Sequence, residues 1–242
     1  MQRNKLLNLF RANAKRGSFK AEGNTIFLYD VINADEFEAE IFGGIGPKGF
    51  AEALAKMNGT VHIRINSPGG DVFAANAMVQ SMREYKDEII AHVDGIAASA
   101  ASVIATAAPK VIMAPGSLLM IHNAWTIAIG DSNDLMETAA LLEKVDGMLA
   151  DGYAKRAKGE SSAFTEMMAK ETWFTPQEAI DAGLADEIAV EKPKAMAKWD
   201  MSVFAAAPEI EDDPIEEPVV VPVDDSEQRI RMHAAAMLLK AA

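Results

Sequence analysis

Cysteine is absent from the chain, which removes a disulfide scaffold, a thiol nucleophile and a cysteine-ligated metal in one step. Histidine is scarce, with four residues, His62, His92, His122 and His233. No two of them stand at ligand spacing, so neither a metal nor another cofactor is expected. Long hydrophobic runs are missing too. The most apolar stretch, residues 96–108, is alanine-rich and broken by Ser99, Ser102 and Thr106. It falls short of the roughly 18 apolar residues a membrane helix needs and reads as a buried core helix. Positive charge is the minority, 23 Lys and Arg against 36 Asp and Glu, a formal net charge of -13. Such a surface repels phosphate backbones, so neither nucleic acid nor a membrane is expected as a partner. Residues 1–20 are basic and mixed, without the apolar stretch and cleavage site of a signal peptide, and a cytoplasmic setting is expected.

What is present suffices for one substantial domain with extensions: 242 residues, half of them hydrophobic. Four stretches are distinguished: a basic extension over 1–20, a globular domain over 21–190, an acidic proline-rich linker over 191–224 and a C-terminal helix over 225–242. In the extension, Leu6, Leu7 and Phe10 suggest a short amphipathic helix. Within the domain, strands are predicted at 25–31, 60–66, 88–93, 110–113 and 118–122. Helices are predicted at 34–41, 47–57, 72–85 and 98–107, with Asp94-Gly95 as a turn before the last of these. Alternating strands and helices with short connections imply a parallel sheet covered by helices. Residues 131–158 form a periodic helix longer than a core cover needs, which suggests a projecting arm. A helix over 162–170 follows. Thr175-Pro176-Gln177-Glu178 is a capped helix start, Gly183 its stop, and 184–190 closes the domain.

Ser99 follows a strand and a glycine turn and opens an alanine-rich helix, where unpaired helix N–H groups stabilise negative charge. It reads as a nucleophile or as an ordinary N-cap. Gly69 and Gly70 end a strongly patterned strand, so the Gly70 and Ala100 N–H groups are candidates for an oxyanion site; the bland reading is a plain turn. His122 ends the apolar strand LLMIH, where a side chain can reach a crevice. His92 competes with it as a base. For the acid that orients an imidazole, Glu171, Asp94, Asp131 and Asp146 all remain open. For a serine–lysine dyad Lys110 is the nearest candidate in sequence, across a helix from Ser99.

These residues fall into four ordered blocks: INSPGG at 65–70, DGIAASAAS at 94–102, MIH at 120–122 and ETWFTPQEAIDAGLADEI at 171–188. With them the chain resembles the ClpP-type serine peptidases over about residues 25–190, and more closely the phage and prophage members described as head maturation proteases. The resemblance implies an α/β fold, the ClpP/crotonase-like spiral of parallel-rich sheet and helices with residues 131–158 as its handle. It implies Ser99 as nucleophile, His122 as base, and Gly70 and Ala100 as oxyanion donors. Glu171 falls where that family has aspartate, so its extra methylene must be accommodated or the role passes to Thr172 or another acid. Also implied are a polypeptide substrate, a homo-oligomeric ring of seven copies or two such rings stacked, and in a phage setting a capsid or scaffold partner. The N-terminus does not look like the family's axial loops, which argues against an ATPase partner. Two other functions fit the same architecture: a crotonase-like enzyme of acyl thioesters and a non-catalytic ring-forming assembly protein.

Overall fold

The computed structural model of the protein describes residues 5–190 and 199–208. Alternation along β3 (Val61–Ser67) sets the orientation of the sheet. Val61, Ile63 and Ile65 are fully buried on one face while His62 and Arg64 lie on the other. The same face-splitting orders β2 (Thr25–Tyr29), where Ile26 and Leu28 point inward. The sheet runs β1 (Ser18–Glu22), β2, β3, β4 (Ile89–Ala98), β5 (Lys110–Met113), β8 (Glu187–Ile188). β2, β3, β4, β5 and β8 pair in parallel. The β1–β2 hairpin is antiparallel, as is the pairing of β6 (Leu118–Ile121) with β7 (Thr172–Phe174). The expected α/β class is what is found, with these two antiparallel pairs added.

Residues 94 and 95 do not form a turn, contrary to the sequence reading. β4 runs ten residues through them and changes partner there. Its first half pairs with β5 and its second half, Ile96 to Ala98, with β6. The ladder to β3 shifts register between Ile65 and Ser67, so the strand bends without ending. Asp94 is buried at this bend by specific partners. Arg64 Nε donates to its Oδ2 at 2.8 Å, Arg64 Nη2 to its Oδ1 at 2.5 Å, and the Tyr29 hydroxyl to its Oδ2 at 2.6 Å. Burial pushes the Asp94 carboxyl up, and the hydrogen bond from Tyr29 and the Arg64 charge pull it back. Because the Asp94 side chain is only 3% exposed, Arg64→Met leaves a buried carboxylate without its cation. The expected cost is about 3 kcal/mol in chemical denaturation.

On the same polar face His62 Nδ1 lies 2.9 Å from His92 Nε2. Burial, then the positive charge of Arg64, lowers the His92 imidazole from 6.5 to about 4. Its folded-state value lies below its unfolded one, so stability is fully present above pH 6.5 and falls as the pH drops toward 4. Asp30, raised by burial from 3.8 to about 6, slopes the opposite way between those values. His92→Gln removes the first slope alone. The melting temperature of the variant is expected to fall less than that of the wild type between pH 6.5 and 4.

The main core lies between the apolar face of the sheet and three helices, α3 (Pro47–Leu54), α4 (Val72–Glu84) and α5 (Ala100–Ala107), which bury Phe50, Met78 and Ile104. The long helix α6 (Ser132–Ala157) begins in a capping box made by Asp131 and Asp134 and ends at Lys158 in a left-handed conformation. Its second half is packed through Val145, Leu149, Ala150 and Tyr153, whereas Leu135, Met136 and Leu141 of its first half are exposed. The second half of α6 therefore packs on the body, while its first half also exposes an apolar surface. α7 (Ser161–Ala169) packs along α6, and α8 (Pro176–Asp181) begins in the Thr175–Glu178 capping box expected from the sequence.

At the N-terminus α1 (Lys5–Asn13) and β1 occupy much of the stretch read as an extension, and α2 (Glu36–Phe42) follows β2. β1 escapes sequence reading because four of its five residues are exposed and no alternation marks it. Residues 225–242, read as a C-terminal helix, lie outside the described residues, as does most of the linker assigned to 191–224. Residues 199–208 of that stretch are described and are packed. Trp199, Met201, Val203 and Phe204 are buried with Leu9, Val31, Phe42, Ile96 and Met120 in a second apolar cluster. Asn13 Nδ2 donates to the Asp200 carbonyl at 2.9 Å, and Asp200 N–H donates to Asn13 Oδ1 at 2.6 Å. Among the described residues no helix is long and apolar enough to cross a membrane.

Candidate active site

Ser99 stands between β4 and α5 at the N-cap position, yet its side chain caps nothing. Its backbone has φ 55° and ψ -124°, a conformation costing of order 1–3 kcal/mol for a residue with a Cβ. Neighbouring bonds hold it there. Ser99 N–H donates to the Met120 carbonyl at 3.0 Å, and the Ser99 carbonyl accepts from Ser102 N–H at 2.9 Å and Ser102 Oγ at 2.6 Å. Ser102 Oγ in turn lies 2.8 Å from the Tyr153 hydroxyl. With the backbone fixed, Ser99 Oγ is 2.7 Å from His122 Nε2. The N-cap reading of Ser99 fails for this reason: the hydroxyl is given to an imidazole. Ser102 and Tyr153 were not singled out from sequence, since an alanine-rich helix hides which serine is structural.

His122 reaches that position because β6 is wedged between two partners. Ala97 and Ala98 of β4 pair with Leu119 and Met120, and β7 pairs with the same residues from the other side. The residue after Ile121 then emerges beside the start of α5. The imidazole is flanked by the ring of Trp125 at 6.5 Å and by Phe204 at 5.3 Å and 88°.

Gly69 and Gly70 have φ of 93° and 146°. A Cβ on Gly69 would stand 2.8 Å from Ser99 Cβ, and one on Gly70 only 2.0 Å from the Ile32 carbonyl oxygen. Gly70 forms a parallel bridge with Ile32 through the Gly69 carbonyl and the Asp71 N–H, at 2.9 and 2.8 Å. That pattern leaves the Gly70 N–H facing away from Ile32. Ala100 is the first residue of α5, so the helix ladder does not use its N–H. Gly70 and Ala100 line one cavity with Ser99 and His122. Its volume is about 150 Å³, and Val72, Val103, Leu142 and Val145 make its wall apolar.

Glu171 directly precedes β7. It follows α7 with φ 53°, and its carboxylate is held by residues 205 and 206. Ala205 N–H donates to Oε2 at 2.9 Å, Ala206 N–H to Oε1 at 2.6 Å, and Trp173 Nε1 to Oε1 at 3.4 Å. The other candidates are occupied structurally. Thr172 Oγ1 donates to the Met167 carbonyl, Asp146 accepts from Ala124 N–H, and Asp131 caps α6. Asp94 is bound by Arg64 and Tyr29, Lys110 by Glu187 and His92 by His62. The structure thus brings together Ser99, His122, Gly70 and Ala100, and ties Glu171 to the segment that packs on His122. That segment had one signal in the sequence, four large apolar residues within six positions, 199–204, amid proline and acid.

The Clp protease family model matches residues 48–192, which hold Gly70, Ser99, Ala100, His122 and Glu171 but not the packed segment after residue 198. Among curated proteins, an ATP-dependent Clp protease proteolytic subunit of Bacteroides fragilis is 33% identical over 137 residues, 54% of this chain and 65% of its own length. The subunit of the same description from Ligilactobacillus salivarius is 33% identical over 140 residues, 55% and 69% of the two chains. The one from Bacteroides thetaiotaomicron is 32% identical over 137 residues, 54% and 61%. The matched stretch thus spans less than two thirds of the two Bacteroides relatives. With more than half of its residues inside the family model, and the four motif blocks inside the matched stretch, this chain belongs to the Clp protease family.

Proposed function

We propose that the protein is a serine endopeptidase. The observation that carries this reading is the 2.7 Å contact between Ser99 Oγ and His122 Nε2 at a strained helix start. His122 accepts the Ser99 proton as Oγ bonds to the carbonyl carbon of an extended polypeptide. The carbonyl oxygen becomes an oxyanion facing the Gly70 and Ala100 N–H groups. The C–N bond then breaks as His122 returns the proton to the leaving amine. Water, deprotonated by the same imidazole, hydrolyses the ester and restores the Ser99 hydroxyl. Glu171 serves as the acid that favours the imidazolium, and the apolar cavity receives an apolar substrate side chain.

An enzyme of acyl thioesters that uses oxyanion donors alone has no need of the Ser–His contact, and that contact favours the peptidase. The exposed Leu135, Met136 and Leu141 of α6 support assembly with further copies, in the ring that the resemblance implies. The curated relatives are bacterial subunits named as ATP-dependent; scaffold or capsid cleavage in a phage setting rests on the motif resemblance. The test is incubation of the full chain with an unfolded polypeptide and, separately, with a serine-directed acylating probe. Cleavage, and a probe adduct mapped to Ser99, are the expected results. Polypeptide left intact, with no adduct on Ser99, overturns the reading.

A further inference from the structure

Residues 199–208 lie beyond the stretch that the family model matches, yet three of them in a row touch both the base and the acid of the site. The Phe204 ring stands edge-on to His122, with centroids 5.3 Å apart at 88°, and also against Trp173 at 6.1 Å and 80°. The next two residues donate their N–H groups to the two oxygens of Glu171, at 2.9 and 2.6 Å. A glutamate side chain has several rotors and loses entropy when fixed. Charge-assisted bonds to both oxygens are what hold it in one place. The strap is anchored away from the cleft, through Trp199, Met201 and Val203 in the second apolar cluster and through the Asn13–Asp200 pair. The residues lining the cavity before Ser99 come from other segments. The strap therefore stands behind the imidazole, as a support and not as a plug.

Resting on the peptidase reading above, we propose that the strap over residues 199–207 is a positioning element of the active site: Phe204 restrains the His122 ring, and the Ala205 and Ala206 N–H groups fix the Glu171 carboxylate. The strap makes no bond to substrate, so its effect falls on the rate of the chemical step and not on substrate affinity.

The experiment uses the full chain and a serine-directed acylating probe, reading the maximal acylation rate and the half-saturating probe concentration separately. Ala206→Pro removes one N–H donor and Ala206→Ser keeps it; Phe204→Leu keeps apolar burial and removes the ring. The proline and leucine variants are expected to acylate about 10- to 100-fold more slowly at saturation, with the half-saturating concentration unchanged. Ala206→Ser should match the wild type. If Ala206→Pro fails to fold, Asn13→Ala loosens the strap at its far anchor and is expected to reproduce the fall. A second measurement is independent of activity: the NMR titration of the His122 imidazole should move to lower pH in the proline variant, as the anchored carboxylate is lost. Variants that acylate as fast as the wild type, with an unmoved titration, overturn the proposal. So do variants that acylate faster, since the strap would then be a latch. A wild type that never acylates, with a titration that does move, removes the peptidase reading and leaves the strap's role standing.

Discussion

Ser99→Ala is expected to lower peptide cleavage by a factor on the order of 10⁶, with the fold intact. In the proposed reaction the hydroxyl oxygen bonds to substrate, and among the described residues no second nucleophile is placed to substitute for it. Ser102, three residues on in the chain, is buried with its Oγ engaged by the Ser99 carbonyl and the Tyr153 hydroxyl. Stability should hardly change. Alanine keeps the Cβ and so bears the same strain at φ 55°, and the bonds that fix the backbone, from Met120, Ser102 and the start of α5, do not involve the lost oxygen. The net value of one hydrogen bond is about 1 kcal/mol, and only the contact to His122 is removed. Mass spectrometry after probe treatment, with a melting curve beside it, checks both halves. An alanine variant that still forms an adduct or still cleaves shows that the nucleophile is elsewhere.

Gly70→Ala is the second large effect, and its cause is geometric. The added Cβ would lie 2.0 Å from the Ile32 carbonyl oxygen, a backbone atom that cannot swing aside as a side chain can. The bridge to Ile32 has to open, and the Gly70 N–H moves with it. Loss of one aligned oxyanion donor costs about 10²- to 10³-fold in kcat, and the strained φ adds about 1–3 kcal/mol of destabilisation. Gly116→Ala separates the two terms. Gly116 also has positive φ, 81°, but nothing lies within 4 Å of its would-be Cβ, so that variant carries the dihedral strain without the clash. The expected outcome is a large rate loss in Gly70→Ala and a near-normal rate in Gly116→Ala. Equal activity in the two variants would remove Gly70 from the oxyanion site.

Much of the fold was legible because its elements carry their own periodic or capping signals. β3 alternates, the Thr175–Glu178 box is spelled in four letters, and α6 shows a helical period over a length no cover needs. The elements that were missed carry no such signal. β1 is exposed along most of its length, β7 is three residues long, and the bend in β4 looks like a turn because Asp and Gly together usually mean one. What makes Asp94-Gly95 strand is the switch of partner from β5 to β6 and the ion pair with Arg64. Neither is visible within a window of ten residues.

The site divides the same way. Residue types and their order made Ser99, His122, Gly70 and Ala100 candidates, with an ordinary N-cap, His92 and a plain turn left open beside them, and it was the resemblance to the ClpP-type peptidases that picked them out. The sequence by itself therefore determined which groups are candidates to react. Tertiary structure decided how they are held: the strained backbone at Ser99 pinned by Met120 and Ser102, and Glu171 held by the strap around Ala205 and Ala206. The physical reason is range. Caps, turns and alternation act between residues a few positions apart, whereas the bonds that fix Ser99 from β6 and Glu171 from the strap join residues 21 to 35 positions apart, which only the folded chain brings within hydrogen-bond reach.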